Sequence, residues 1–168
     1  RLAIVGLSAG GHLAMRAAAR VRVPAGSAIH SVDPLPVSGV LDLAGPVDLT
    51  ANIAGYEGLC GDTVVTGLLG GAPAAVPERY AQASPMFLLP LGVPQVILIG
   101  DDEEFVPRRL MEDYVRAAEQ AGDQVRLIVV PRVSHHDLAS PLAPAWPRVE
   151  SVHLDAPGPT KQHCPLPA

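Results

Sequence analysis

The sequence has few aromatic residues, two cysteines, no excess of basic charge and no long unbroken apolar run. Aromatics make up only 4% of the 168 residues, so a core must be built from Ala, Val and Leu. Cys60 and Cys164 stand far apart with no C-x-x-C between them. They read as free thiols, and a chain of this size needs no disulfide scaffold. The net charge of −5, with acids and bases interspersed, excludes the basic face that nucleic-acid binding requires. No apolar stretch approaches the ~20 residues of a membrane-spanning helix. His135, His136 and Asp137 are adjacent rather than spaced i,i+4 along a helix, so neither a zinc site nor another cofactor is expected.

What is present fits one domain with a substantial core, since 48% of the residues are hydrophobic. The chain opens at Arg1, one residue before an apolar strand pattern. That reads as the C-terminal part of something longer.

The most informative stretch is Gly6-Leu7-Ser8-Ala9-Gly10-Gly11. Leu2 to Val5 leads into it as a strand expected to be buried on both faces, and Ala9 to Arg20 leads out as an Ala- and Leu-rich helix. Strand, sharp turn and helix with Ser at the turn give the context of a nucleophile elbow. Gly6 and Gly10 are expected to give room where strand and helix cross. The turn would lift the Ser8 hydroxyl off the sheet and aim the Ala9 backbone N–H at a developing oxyanion. Two other readings of this stretch are a plain Gly-rich turn and a phosphate loop. The dinucleotide fingerprint needs Gly where Ser8 stands and an acid closing the next strand, for which Asp42 is late.

Further on, Val21 to Pro36 is a proline-broken linker and Val37 to Leu43 a second strand, expected to end near Leu41. Residues 44–85 hold no strand signal but two short helical pieces, Thr63 to Leu69 and Val76 to Gln82. They read either as an insertion shaping a substrate pocket or as a plain helical connection. Gln95 to Gly100 is the third strand, followed by the acidic loop 101–104. Leu110, Met111, Tyr114, Val115 and Ala118 form the core stripe of a helix that begins near Pro107 and ends at Gly122. Val125 to Val130 is the fourth strand, stopped by Pro131, and the loop Ser134-His135-His136-Asp137 follows. A last helix is expected over 143–154, and 155–168 reads as a disordered tail.

Strands separated by helical segments predict an α/β fold with a parallel sheet and right-handed crossovers. In such sheets functional groups collect at the carboxyl ends of the strands. Three of those ends carry Ser8, the acidic loop and the His pair. Ser needs a base to take its proton, His is the base suited to neutral pH, and the imidazole needs an acid to hold its tautomer. The order Ser, acid, His is that of α/β-hydrolases. Here it runs Ser8, then Glu103 or its neighbour Asp102, then His135 or His136. His12, just after the elbow, reads as a packed side chain.

With these residues in place the chain resembles the C-terminal half of an α/β-hydrolase of the esterase/lipase superfamily, closest to its small carboxylesterase and kynurenine-formamidase-like group. The likeness rests on Gly-Leu-Ser-Ala-Gly-Gly-His-Leu-Ala at 6–14, Ser-Gly-Val-Leu-Asp-Leu at 38–43, Leu-Leu-Gly-Gly-Ala-Pro at 68–73, Ala-Ser-Pro at 83–85, Gly-Asp-Asp-Glu-Glu-Phe-Val-Pro at 100–107 and Val-Ser-His-His-Asp-Leu at 133–138. The resemblance implies four parallel strands equivalent to the family's strands five to eight, in a catalytic domain over 1–154. It implies Ser8 as nucleophile, the Ala9 amide as one oxyanion donor, Glu103 as acid in a loop where the family has Asp, and His135 as base where the family has a preceding Gly. Asp102 and His136 are the alternates. The implied reaction is cofactor-free cleavage of a small-molecule carboxylic ester through an acyl-enzyme. An aryl-formamide, a peptide bond, or a non-catalytic binding module of the same fold are the alternatives. The family's other oxyanion donor belongs to a His-Gly-Gly loop that this sequence does not contain, so the 168 residues alone are expected to be nearly inactive.

Overall fold

The four strand patterns assemble into one parallel sheet. The computed structural model of the chain describes the backbone of residues 2–154 and the side chains through 151; the expected tail at 155–168 and Cys164 lie outside the described residues. The strands are β1 (Ala3–Leu7), β2 (Gly39–Leu43), β3 (Gln95–Asp102) and β4 (Val125–Ser134). Their spatial order is that of the sequence, and every pairing is parallel. The helices are α1 (Ala9–Ala18), α2 (Ile53–Cys60), α3 (Val64–Leu69), α4 (Pro77–Ala83), α5 (Arg108–Gln120) and α6 (Trp146–Leu154). α1 packs on β1 and β2, and α5 on β4. A short 3-10 turn at Pro85–Leu88 touches both helices, which puts them on one face of the sheet.

The core lies where composition demanded it. Ile97, Leu98 and Ile99 of β3 have no exposed surface, and Met111, Tyr114 and Ala118 of α5 are equally sealed. Burying an aliphatic side chain of this size contributes about 1.5–3 kcal/mol. At the opposite end of the strands from the Ser8 turn, Asp123 accepts hydrogen bonds from the Leu91 and Gly92 amides and from Gln95 Nε2, while the Tyr114 hydroxyl donates to Gln95 Oε1. This buried network ties the start of β3 to the turn before β4.

Several elements differ from the sequence expectation. β1 is not buried on both faces: Val5 is 42% exposed, because β1 is an edge strand with β2 as its one partner among the described residues. β2 runs to Leu43 rather than stopping near Leu41, since Asp42 and Leu43 pair with Gly6 and Leu7. The third strand reaches Asp102, past the point where the acidic loop was expected to begin. β4 continues through Pro131 to Ser134. It is the other edge, where a missing N–H costs no ladder bond. α2 carried no helical signal, its two glycines interrupting the apolar pattern of Ile-Ala-Gly-Tyr-Glu-Gly-Leu-Cys. α1 gives way to a 3-10 turn at Ala19, and the last helix starts at Trp146 rather than near 143.

The β3–β4 ladder breaks register between Gly100 and Asp102. On the β4 side Arg132 takes a left-handed backbone, φ 57°. The Asp101 carboxylate accepts hydrogen bonds from the Arg132 and Val133 amides. This bulge, capped by Asp101, re-aims the chain before pairing resumes at Asp102 and Ser134.

Candidate active site

β1 ends in a turn with the strained geometry of an elbow. Ser8 sits at φ 55°, ψ −122°, a region non-glycine residues avoid at a cost of about 1–3 kcal/mol. The Ser8 amide donates to Leu43 O at 2.8 Å, so the turn is pinned to the end of β2. The His12 amide donates to Ser8 O at 3.0 Å, which starts α1 directly behind the serine. As an opening residue of the helix, Ala9 has an N–H with no intrahelical acceptor, and Ala9 is exposed. The close approach falls on Gly6 and Gly11 rather than on Gly6 and Gly10. A Cβ at Gly6 would meet the Gly10 carbonyl oxygen at 2.1 Å, and one at Gly11 would meet Asp42 Oδ1 at 2.0 Å, whereas one at Gly10 would have nothing within 4 Å.

Glu103 and His135 come together from β3 and β4. Asp102 and Ser134 are Cα partners in the ladder, and each of the two site residues is the next one along its chain. Adjacent strands lie about 4.8 Å apart, so the side chains meet without help from a long loop. His135 Nδ1 lies 2.8 Å from both Glu103 oxygens and donates to the carboxylate. Both side chains are only 2% exposed. Glu103 Oε1 also accepts the Phe105 amide at 2.8 Å and the Val106 amide at 3.1 Å. Burial alone would push the Glu103 carboxyl up. The bonds from His135 and from the two amides, with the charge of His135, outweigh it and hold the carboxyl below the ordinary glutamate value. With Nδ1 committed to Glu103, the free nitrogen of a neutral His135 is Nε2.

The surroundings fix that imidazole. The Phe105 ring lies 4.5 Å from the His135 ring, centroid to centroid. Asp137 accepts the Ser134 amide at 3.0 Å and the Ser134 hydroxyl at 2.7 Å, closing the turn that contains His135. The Ser134 hydroxyl and amide draw the Asp137 carboxyl below its usual range. Among the described residues no hydrogen bond joins Ser8 to His135; the bonds of His135 go to Glu103.

Residues 1–115 match the model of the BD-FAE family. The chain belongs to the BD-FAE family, an α/β-hydrolase-like esterase domain. No curated protein matches it by sequence. Among solved structures, this BD-FAE chain is similar to the esterase Est2 of Thermogutta terrifontis, with 20% identity and a TM-score of 0.63 over 91% of this chain and 53% of the other. A bifunctional GH43-CE protein of Bacteroides eggerthii is 21% identical, with a TM-score of 0.65 over 92% of this chain and 23% of that one. The acylaminoacyl peptidase of Pyrococcus horikoshii is 16% identical, with a TM-score of 0.68 over 92% of this chain and 23% of its own. The BD-FAE chain therefore spans about half the length of the esterase and about a quarter of the other two. At these identities the likeness establishes the α/β-hydrolase fold.

The remaining acids and histidines of the BD-FAE chain sort by position. Asp102 is exposed at the end of β3, and Asp101 caps the bulge. His136 is exposed, its ring edge-on to His135 at 5.3 Å and to Phe105 at 5.7 Å, at the rim of the site. His12 is buried and its Nδ1 meets Pro46 O at 2.8 Å, a packed histidine. Burial lowers the His12 pKa, the Pro46 carbonyl opposes this, and Arg16 adds to it. A groove of about 1160 Å³ runs between α1 and residues 68–88, lined in part by Leu13, Arg16, Arg79 and Phe87; neither Ser8 nor His135 borders it. Asp137 and Phe105 were visible within the motifs at 133–138 and 100–107, but the sequence assigned neither a part in holding His135. The Ser-x-x-Asp spacing at 134–137 was a readable signal for the former.

Proposed function

We propose that Ser8, His135 and Glu103 form a hydrolytic triad that cleaves a small-molecule carboxylic ester through an acyl-enzyme. The observation that carries this reading is the buried His135 Nδ1 held at 2.8 Å from both oxygens of Glu103, at the carboxyl ends of β4 and β3, in the same parallel sheet whose first strand, with β2 between, ends at the strained Ser8. Glu103 keeps the proton on Nδ1, so Nε2 is the base. It takes the Ser8 proton as Oγ attacks the acyl carbon. The oxyanion of the tetrahedral intermediate accepts the Ala9 N–H. The intermediate collapses, the alcohol leaves with the proton from Nε2, and Ser8 carries the acyl group. Water then gives a proton to Nε2 as it attacks the acyl carbon, the C–Oγ bond breaks, and Nε2 returns that proton to Ser8 Oγ as the acid leaves. Membership of an esterase-domain family favours an ester over an amide.

The test is covalent labelling with a fluorophosphonate, which reports an activated serine even where turnover is slow, together with hydrolysis of a short-chain nitrophenyl ester. Label localised to Ser8 by mass spectrometry and absent from Ser8→Ala is the expected result. No label, or label on another residue, would overturn Ser8 as the activated serine of this chain.

A further inference from the structure

We propose that Asp42 is a positioning residue for Ser8: its buried carboxyl braces the turn after β2 against the first turn of α1 and so holds the elbow in shape. The inference rests on Ser8 being the nucleophile, and it starts from a residue that packing does not explain. Asp42 has no exposed surface, lies between Leu41 and Leu43 in an interior strand, and pairs with Gly6 on one side and Ile97 on the other. An apolar residue would fill that position without the cost of burying a carboxyl group.

The geometry shows what the carboxyl touches. Asp42 Oδ1 accepts the Gly45 amide at 2.7 Å. The same oxygen occupies the gap between two backbones: a Cβ at Gly11 would come within 2.0 Å of it and one at Gly45 within 2.4 Å. A Cβ at Gly45 would also lie 2.4 Å from the His12 amide nitrogen, so the turn after β2 and the start of α1 are in direct contact around this oxygen. Ala44, inside the turn that Asp42 closes, has a left-handed backbone with φ 52°. Leu43, the next residue after Asp42, supplies the carbonyl that anchors the Ser8 amide. Two non-glycine residues with positive φ, Ser8 and Ala44, thus lie on the two backbone segments that meet around this carboxyl group. Conformations of this kind persist only where the surroundings over-determine them.

The chemical state of the brace follows from its surroundings. Burial raises the Asp42 carboxyl well above the ordinary range, and the Gly45 amide only partly opposes it. Oδ2 is buried without a partner among the described residues. Asn is then the close mimic, with a carbonyl for the Gly45 amide and an amide nitrogen in place of Oδ2. Ala removes the acceptor, leaves the Gly45 N–H unpaired and opens the gap beside Gly11.

The experiment compares wild type, Asp42→Asn and Asp42→Ala in the full chain by amide hydrogen exchange and by fluorophosphonate labelling. In wild type the Gly45 amide should be slow to exchange although it lies in a turn. Asp42→Ala should speed exchange at 6–12 and 43–45 by about tenfold more than in α5. It should slow labelling by about a hundredfold, the cost of an ångström-scale misplacement. Asp42→Asn should restore both to within about threefold of wild type. Should Asp42→Ala not fold, Asp42→Val, which carries no hydrogen-bond acceptor, takes its place with the same expectation. The proposal is overturned if exchange rises uniformly, α5 included, if it does not rise at all, or if Asn behaves like Ala. Absence of label on wild type would refute the nucleophile role, while the exchange pattern would still decide whether Asp42 holds the elbow.

Discussion

Replacing Glu103 by Gln keeps the volume of the side chain and removes its charge. Three donors converge on the carboxylate in the wild type: His135 Nδ1 at 2.8 Å and the Phe105 and Val106 amides at 2.8 and 3.1 Å. The amide oxygen of Gln can still satisfy the two backbone donors. Its NH2 then faces Nδ1, which must become an acceptor, and the imidazole proton moves to Nε2. A base in the wrong tautomer cannot take the serine proton, and the expected loss in kcat/KM is about 10⁴-fold, or ~5.5 kcal/mol. The fold should suffer less. Charge-assisted bonds contribute about 1.5–3 kcal/mol each and neutral ones about 0.5–1.5, so a destabilisation of about 1–3 kcal/mol is expected. No reduction for solvent screening applies, because both side chains of the pair are only 2% exposed. The assay is the second-order rate of fluorophosphonate labelling beside a urea titration, with Asp102→Asn as control. Asp102 is exposed, so its substitution should change the labelling rate less than about twofold. A Glu103→Gln protein that labels within tenfold of wild type, or an Asp102→Asn protein as impaired as Glu103→Gln, would refute the reasoning.

Three further outcomes follow from the same geometry. Ser8→Gly should be about 0.5–2 kcal/mol more stable than Ser8→Ala, because Gly relieves the backbone strain at φ 55° and returns only part of it as chain entropy; equal denaturation midpoints would show that the turn stores none. Gly11→Ala should cost about 1–3 kcal/mol through the clash with Asp42 Oδ1 and the Gly6 carbonyl, while Gly10→Ala, with open space around it, should be neutral or gain up to about 1 kcal/mol, and thermal melts that rank them the other way would overturn the packing argument. Since the Glu103 carboxyl is held below its ordinary value, its contribution to stability is full above about pH 4–5 and falls away as pH drops through the folded value; the stability gap between wild type and Glu103→Gln should narrow as the pH falls through that value, and a gap constant with pH would refute the assignment.

How much of this was legible in the sequence varies with how local the cause is. The four strands and the helix stripe of α5 follow from hydrophobic period, which is local, and their order yielded the parallel sheet. The turn at Ser8 was visible because a strand, two glycines and a helix surround it within a dozen residues. Which glycine gives the room was not, since that depends on Asp42 reaching Gly11 from another strand. The acidic run 101–104 posed the same problem. Four carboxylates in a row differ only in what they meet: Asp101 meets the bulge, Glu103 meets His135, and Asp102 and Glu104 meet solvent. Pro131 misled for a physical reason, because it stops an interior strand but not an edge. Asp42 did leave a signal, an acid inside Val-Leu-Asp-Leu, but its meaning needed the neighbouring backbones.

The rung between Asp102 and Ser134 has a consequence for how such a site can change. Glu103 and His135 each follow a residue of that rung, so their spacing is inherited from the sheet rather than from the segments beyond them. Exposed positions beyond that rung, Glu104, His136, Pro141 and Leu142, can therefore vary while Glu103 and His135 stay in register, provided the Asp101-capped bulge and the contacts of Phe105, Val106 and Asp137 are kept. Under the proposed triad, variation at the exposed rim and constraint on proton transfer then fall on separable positions. A library that randomises the rim around His136 should recover many variants with an intact Glu103–His135 pair, whereas single insertions between Gly100 and Asp102 should recover almost none.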